Sequence, residues 1–120
     1  GRDYSIMISD SLRAKHCPSG GEYELGGHPI EIRDNGLAYL KGTDTIAGST
    51  LHINRGLRLL VEEALVPFDA ALNACTINPA RCLRVDDHKG RLAAGYDADL
   101  VVLEDNYDVC QTYCKGVAML

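Results

Sequence analysis

Asp10 is the side chain that the sequence best places for chemistry. It follows Tyr4, Ile6, Met7 and Ile8, a short and nearly continuous apolar run of the kind that forms a strand buried on both faces. The run stops on Ser9-Asp10-Ser11. In α/β folds, ligands and catalytic groups gather at the C-terminal ends of parallel strands, so an aspartate there can serve as a general base or a metal ligand. The competing reading is an Asx-turn in which Asp10 only caps the next segment. A second candidate is Gly48-Ser49-Thr50, where Ser49 or Thr50 can cap a helix whose first amides would also face a ligand. A plain capped helix start fits the same residues. The four histidines (His16, His28, His52, His88) form no His-x-His pair and no metal-ligand spacing, and read as surface or loop residues.

The elements around these residues follow from turn chemistry and periodicity. Glu22 to Leu25, His28 to Arg33 and Leu37 to Leu40 have strand composition and are separated by Gly26-Gly27 and Asp34-Asn35-Gly36, both strong hairpin signals. Ile30 and Ile32 point one way, Glu31 and Arg33 the other. A three-stranded antiparallel meander is expected over about residues 22–41. Gly42 to Thr50 reads as a glycine-bracketed loop running into a helix that carries Leu51, Leu57, Leu60, Val61, Ala64 and Leu65. Pro67 opens a second helix, to about Cys75, and Asn78-Pro79 reads as an N-cap followed by Pro at the first position of a third, through Leu83. A turn-rich stretch from Gly90 leads to strands at Leu100–Leu103, Val109–Tyr113 and Gly116–Leu120. Before the meander, Cys17-Pro18-Ser19-Gly20-Gly21 is a loop.

Composition bounds the rest. The 120 residues are 46% hydrophobic, enough for a packed core, with 12 Lys plus Arg against 17 Asp plus Glu and a net charge of −5. With no basic run and no basic patch interleaved with aromatics, nucleic acid is not an expected partner, and neither an 18-residue apolar stretch nor a signal peptide is present, so no membrane partner is expected. Five cysteines, odd in number and without a Cys-x-x-Cys pair, point to reduced, mostly buried thiols in a cytoplasmic protein. The chain opens on Gly1-Arg2-Asp3, without Met and three residues before an interior-type strand, which leads us to expect a piece of a longer protein.

The tail then carries a resemblance. Gly90-x-Leu-x-x-Gly95-x-x-Ala98-Asp99-Leu100-Val101-Val102-Leu103 resembles the C-terminal signature of the amidohydrolase superfamily. Ile8-Ser9-Asp10-Ser11, Gly21 to Gly27, Ile46 to Leu51 and Asn78-Pro79-Ala80-Arg81, in that order and spacing, are together similar to its N-acetylglucosamine-6-phosphate deacetylase branch.

The resemblance implies an α+β chain that is the C-terminal fragment of a metal-dependent (β/α)8 barrel. Residues 1–89 would supply the last barrel strand, the meander and the helices, and residues 90–120 the strands of a small β-sandwich domain. A complete barrel needs around 250 residues. It also implies that a metal-bound water attacks the acetamide carbonyl of an amino-sugar phosphate, with Asp10 taking that water's proton and returning it to the leaving amine. Ser-Asp-Ser here replaces the usual Thr-Asp-Ala of that branch and keeps the carboxylate. Ile46, Ala47, Gly48 and Ser49 would contact the sugar, largely through main chain. The cofactor would be a divalent metal of the Zn, Fe, Mn or Co class, held by a Glu and two His absent from this chain, with Asp10 as a possible further ligand; the fragment alone would bind none. A chain that leaves such strand edges open is expected to be a homodimer, or swapped, and inactive by itself. Two alternatives stay open: a dihydroorotase-like or imidazolonepropionase-like enzyme of the same superfamily, and a non-catalytic α+β interaction domain.

Overall fold

Tight turns between short strands organise the first half of the chain, because a residue pair such as Gly26-Gly27 adopts positive φ at both turn positions (58° and 82°) without a Cβ penalty. The computed structural model describes residues 2–17 and 21–119, which divide into two units: Ser9–His52, and Gly1–Ile8 together with Ile53–Leu120. The expected loop at Pro18–Gly20 and the end of the last strand at Leu120 lie outside the described residues.

The first unit is an antiparallel sheet in the order β1 (Tyr23–Leu25), β2 (His28–Ile32), β3 (Leu37–Leu40), β4 (Ile46–Ser49), preceded by a short 3-10 turn at Arg13–His16. The expected meander is present, and its registers are Tyr23 opposite Ile30 and Glu31 opposite Tyr39. The predicted alternation holds for Ile30, which is buried with Ala38 and Ala14. On the other face the Arg33 guanidinium lies 3.9 Å over the Tyr39 ring and reaches Glu31 and Asp44.

The sheet has one strand more than expected. Ile46–Ser49, read as loop, pairs with β3 as β4, with Leu37 opposite Ser49 and Tyr39 opposite Ile46 and a register shift between them. Leu40 N–H donates to the Thr45 carbonyl (2.9 Å) and closes the hairpin that brings this segment back. An unpaired β3 edge exposes a row of N–H and C=O groups, and a segment of mixed composition such as Ile-Ala-Gly-Ser becomes a strand by satisfying them.

In the second unit, helices α1 (Ile53–Glu62), α2 (Phe68–Cys75) and α3 (Ile77–Cys82) bury Leu57, Ala71, Ala74, Ile77 and Ala80. The first helix starts two residues later than its apolar pattern suggests and stops earlier, since Leu65 takes φ of 53° and lies exposed. Neither Ser49 nor Thr50 caps it. The second helix begins as expected, immediately after Pro67. In the third, Thr76 takes the N-cap position and Asn78 lies inside, 3% exposed, so the expected Asn78 cap is corrected to a buried side chain. Its Nδ2 donates to the Arg2 and Ser5 carbonyls, both at 2.9 Å, which is a better use of a buried amide than solvent-facing capping. A second antiparallel sheet follows in the same unit: β5 (Leu100–Leu103), β6 (Val109–Cys114), β7 (Val117–Met119).

The expected buried strand at Tyr4–Ile8 is not formed. Among the described residues no strand pairs with it; Met7 N–H donates to Ala74 O (2.9 Å), while Tyr4 is 87% and Ile8 69% exposed. The apolar run has the composition of an interior strand, but a strand needs hydrogen-bonded neighbours on each side, and the described residues supply none. The cysteines also depart from expectation: all five are free, but Cys17, Cys82, Cys110 and Cys114 are exposed and Cys75 half-buried. Among the described residues no helix is long and apolar enough to cross a membrane.

Candidate active site

Asp10 and the Gly48-Ser49 pair, far apart in sequence, meet in the first unit. Ser11 forms an isolated parallel bridge with Ser49 at the end of β4. The bridge is built from backbone: Ser49 N–H donates to Asp10 O (2.8 Å) and Leu12 N–H donates to Ser49 O (2.9 Å). Ser49 Oγ donates to Ser9 O (2.5 Å) and accepts from Leu51 N–H (3.0 Å). Ser9 Oγ accepts from Ser11 N–H (3.3 Å), and Thr50 is fastened through both its N–H and its hydroxyl to the Gly36 carbonyl.

This bracket leaves the Asp10 side chain exposed and without a hydrogen bond or ion pair among the described residues, on a backbone with φ of 48°. Left-handed backbone is uncommon for residues other than glycine, though Asp and Asn enter it more readily than most. A free carboxylate held on such a backbone can accept a proton from, or hydrogen-bond to, a ligand brought against it.

Glycine at position 48 has a local explanation. Its φ is 105°, and a Cβ there would stand 2.9 Å from Leu12 Cγ and Cδ2 and 3.2 Å from Asp10 O. The close approach is therefore to the chain's own Leu12 and Asp10. Of the four residues singled out in this segment, Ile46 is exposed, Ala47 half-buried, and Gly48 and Ser49 buried. The N–H, C=O and hydroxyl of Ser49 are all committed to the bonds above. Ala47 and Gly48 fall where the β3–β4 register shifts, so a main-chain contact to a ligand is more available there than at Ser49.

The sequence missed the hydroxyl of Ser11, which is buried beside Asp10 and unpaired among the described residues. It also missed Ser49 as a partner of residues 9–12; the only signal was the small polar residue after Gly48. A cavity of about 410 Å³ in the same unit is lined by Arg13, Glu22, Tyr23, Lys41 and others, but not by Asp10 or Ile46–Ser49.

The histidines do not assemble into a metal centre. The His16 and His52 rings stand edge-on with centroids 5.4 Å apart, and His52 is held below its ordinary pKa by desolvation, with Lys15 and His16 adding to the effect. Among the described residues no group of three or more His, Cys, Asp or Glu could hold a metal ion.

Comparisons with known proteins agree with one another. Over 116 residues, 97% of its length, the chain is 36% identical to N-acetylglucosamine-6-phosphate deacetylase of Bacillus subtilis, of which this covers 28%. Its structure superposes on that of the Mycobacterium smegmatis N-acetyl-D-glucosamine-6-phosphate deacetylase with a TM-score of 0.89 and 33% identity, covering 100% of this chain and 32% of the other. An aspartate-to-alanine variant of that enzyme in complex with N-acetyl-D-glucosamine-6-phosphate gives a TM-score of 0.87 and 34% identity over 98% of this chain and 31% of the other. The chain thus spans about a third or less of these relatives. Residues 27–119 match the amidohydrolase family, most of the chain, and the chain belongs to that family.

Proposed function

We propose that this chain is the C-terminal part of an enzyme that hydrolyses N-acetylglucosamine 6-phosphate to glucosamine 6-phosphate and acetate. The observation that carries this reading is the agreement in fold and sequence, over nearly the whole chain, with a deacetylase captured together with that sugar phosphate. The Bacillus subtilis relative bears the same enzyme name, which favours this reading over a dihydroorotase-like or imidazolonepropionase-like one. In this assignment residues 1–89 belong to the barrel and residues 90–120 to a small sheet domain.

Asp10 would be the proton-transfer group. Its carboxylate takes the proton released when water adds to the acetamide carbonyl and gives it to the nitrogen as the C–N bond breaks, leaving a free amine and acetate. The free carboxylate at the end of the Tyr4–Ile8 run supports that role, and Ala47-Gly48 offers main-chain groups for the sugar. Amidohydrolases are generally metal-dependent, but the described residues of this chain do not complete a metal site. We infer that a divalent ion of the Zn, Fe, Mn or Co class is held by residues outside this chain. The exposed Tyr4 and Ile8 support self-association when the chain stands alone, and as a homodimer in the enzyme. Five free cysteines suit a cytoplasmic setting.

The test is Asp10→Asn in the whole enzyme, with acetate release from N-acetylglucosamine 6-phosphate as the readout. Turnover should fall about 10²- to 10⁴-fold while the fold is retained, the range for loss of a general acid-base group. An unchanged rate would leave Asp10 as a turn residue and remove its proton-transfer role.

A further inference from the structure

We propose that Ser49 is a positioning residue for Asp10, acting through its hydroxyl and backbone rather than by touching substrate; this rests on Asp10 being the proton-transfer group. The φ and ψ of a residue are set by the two peptide planes that flank its Cα. Ser49 holds both planes of Asp10: its Oγ–H grips the preceding one through Ser9 O (2.5 Å), and its N–H grips the following one through Asp10 O (2.8 Å). Its own carbonyl then takes Leu12 N–H (2.9 Å), so one residue holds three carbonyl or amide groups of the 9–12 segment.

The hydroxyl has little choice of direction. It accepts from Leu51 N–H (3.0 Å), which commits a lone pair and leaves its single proton for Ser9 O. The residue so held is Asp10, with φ of 48°, a conformation that persists where the surroundings over-determine it. Ser49 is 7% exposed, which keeps water from competing for these bonds. A surface carboxylate with no partner among the described residues is aimed by its backbone, and Ser49 sets that backbone.

The experiment is a double-mutant cycle in the whole enzyme, reading kcat and KM separately. Ser49→Ala should lower kcat about 10- to 100-fold, the scale for a catalytic group displaced by about an ångström. KM should stay within about twofold, because the change acts on the reacting group rather than on binding. Ser49→Thr, which keeps the hydroxyl, should restore most of the rate. In an Asp10→Asn background Ser49→Ala should cost nothing further, since a residue that acts only through Asp10 has nothing left to position. If Asp10→Asn leaves turnover intact, the base reading falls and this proposal with it. If Asp10→Asn lowers turnover as expected while Ser49→Ala multiplies the loss in that background, or if Ser49→Ala raises KM at constant kcat, the base stands and the positioning role is overturned. Should Ser49→Ala fail to fold, Ser49→Cys against Ser49→Thr decides. A thiol is a weak donor with a longer bond, so the Cys variant should be the slower at unchanged KM, and equal kcat values would overturn the proposal.

Discussion

Ser49 N–H donates to the carbonyl of Asp10 at 2.8 Å, so the last residue of β4 holds the backbone of the carboxylate that the sequence singles out. The bond is main chain to main chain. The fold therefore fixes Asp10 through its backbone and asks nothing of its side chain.

It follows that the carboxylate contributes little to stability. Asp10→Asn should change unfolding free energy by no more than about 0.5 kcal/mol, as for surface changes that break no specific contact. Asp10→Gly should be neutral or stabilising, because glycine relieves left-handed backbone that costs other L-residues about 1–2 kcal/mol, set against its own entropy cost of about 0.5–1 kcal/mol. Thermal denaturation of the chain checks both. A marked loss of stability in either would show that the side chain has a structural partner.

Gly48 and Gly95 separate two costs of a methyl group. Both have positive φ, 105° and 89°, but a Cβ at Gly48 meets Leu12 and Asp10 O, whereas nothing lies within 4 Å at Gly95. Gly95→Ala should cost the backbone strain alone, about 1–2 kcal/mol. Gly48→Ala should cost about 1–3 kcal/mol more through overpacking. Leu12→Ala in the Gly48→Ala background should recover part of that excess and none of the strain. Urea unfolding of these three variants and of Leu12→Ala alone measures the difference, and equal costs at the two glycines would discount the contact with Leu12.

Asn78 ties the start of the chain to α3 through two hydrogen bonds to Arg2 O and Ser5 O. Asn78→Ala should cost about 1–3 kcal/mol, the range for breaking a buried polar link. The loss should be concentrated in residues 2–8. Amide exchange at Met7, whose N–H bonds to Ala74 O, should accelerate well before exchange in α2 does. Uniform acceleration across the helices would instead mean that Asn78 supports the unit as a whole.

Lys89 donates to Asp97 Oδ2 (2.7 Å) and Asp99 Oδ2 (2.5 Å), ahead of β5. These hydrogen bonds hold both carboxyls below their ordinary value of 3.8 and lift the lysine above its ordinary 10.5. The carboxylate contribution to stability is complete above pH 3.8 and is lost as pH falls through the depressed folded values. The lysine contribution is complete below pH 10.5 and is lost as pH rises through the elevated folded one. Lys89→Met should therefore lower the urea midpoint at pH 7 and have a smaller effect at pH 2.5. Because Lys89 and Asp97 are only half-buried and Asp99 is exposed, solvent reaches the cluster, and the pH 7 effect should be small and should shrink further in salt. An effect independent of both pH and salt would point to lost packing of the lysine stem.

Turns were readable from sequence because their cause lies within a few residues. Gly26-Gly27 and Asn35-Gly36 favour hairpins through backbone freedom at the turn, and Pro67 precedes α2 as its N-cap, where a missing N–H costs no helical hydrogen bond. The superfamily signature at Gly90–Leu103 and the residue type at Asp10 were legible in the same way. Three features were not: Ile46–Ser49 as a strand, the unpaired course of Tyr4–Ile8, and Asn78 inside α3 instead of at its cap. Each depends on which N–H, C=O or edge lies opposite in space, and residues far along the chain decide that. Thus the sequence alone determined that an aspartate after an apolar run and a Gly-Ser segment were available. Only the tertiary structure decided that Ser49 would spend its hydroxyl and both backbone groups on the Ser9–Leu12 segment around Asp10, because hydrogen-bond partners are set by proximity after folding and not by neighbours in the chain.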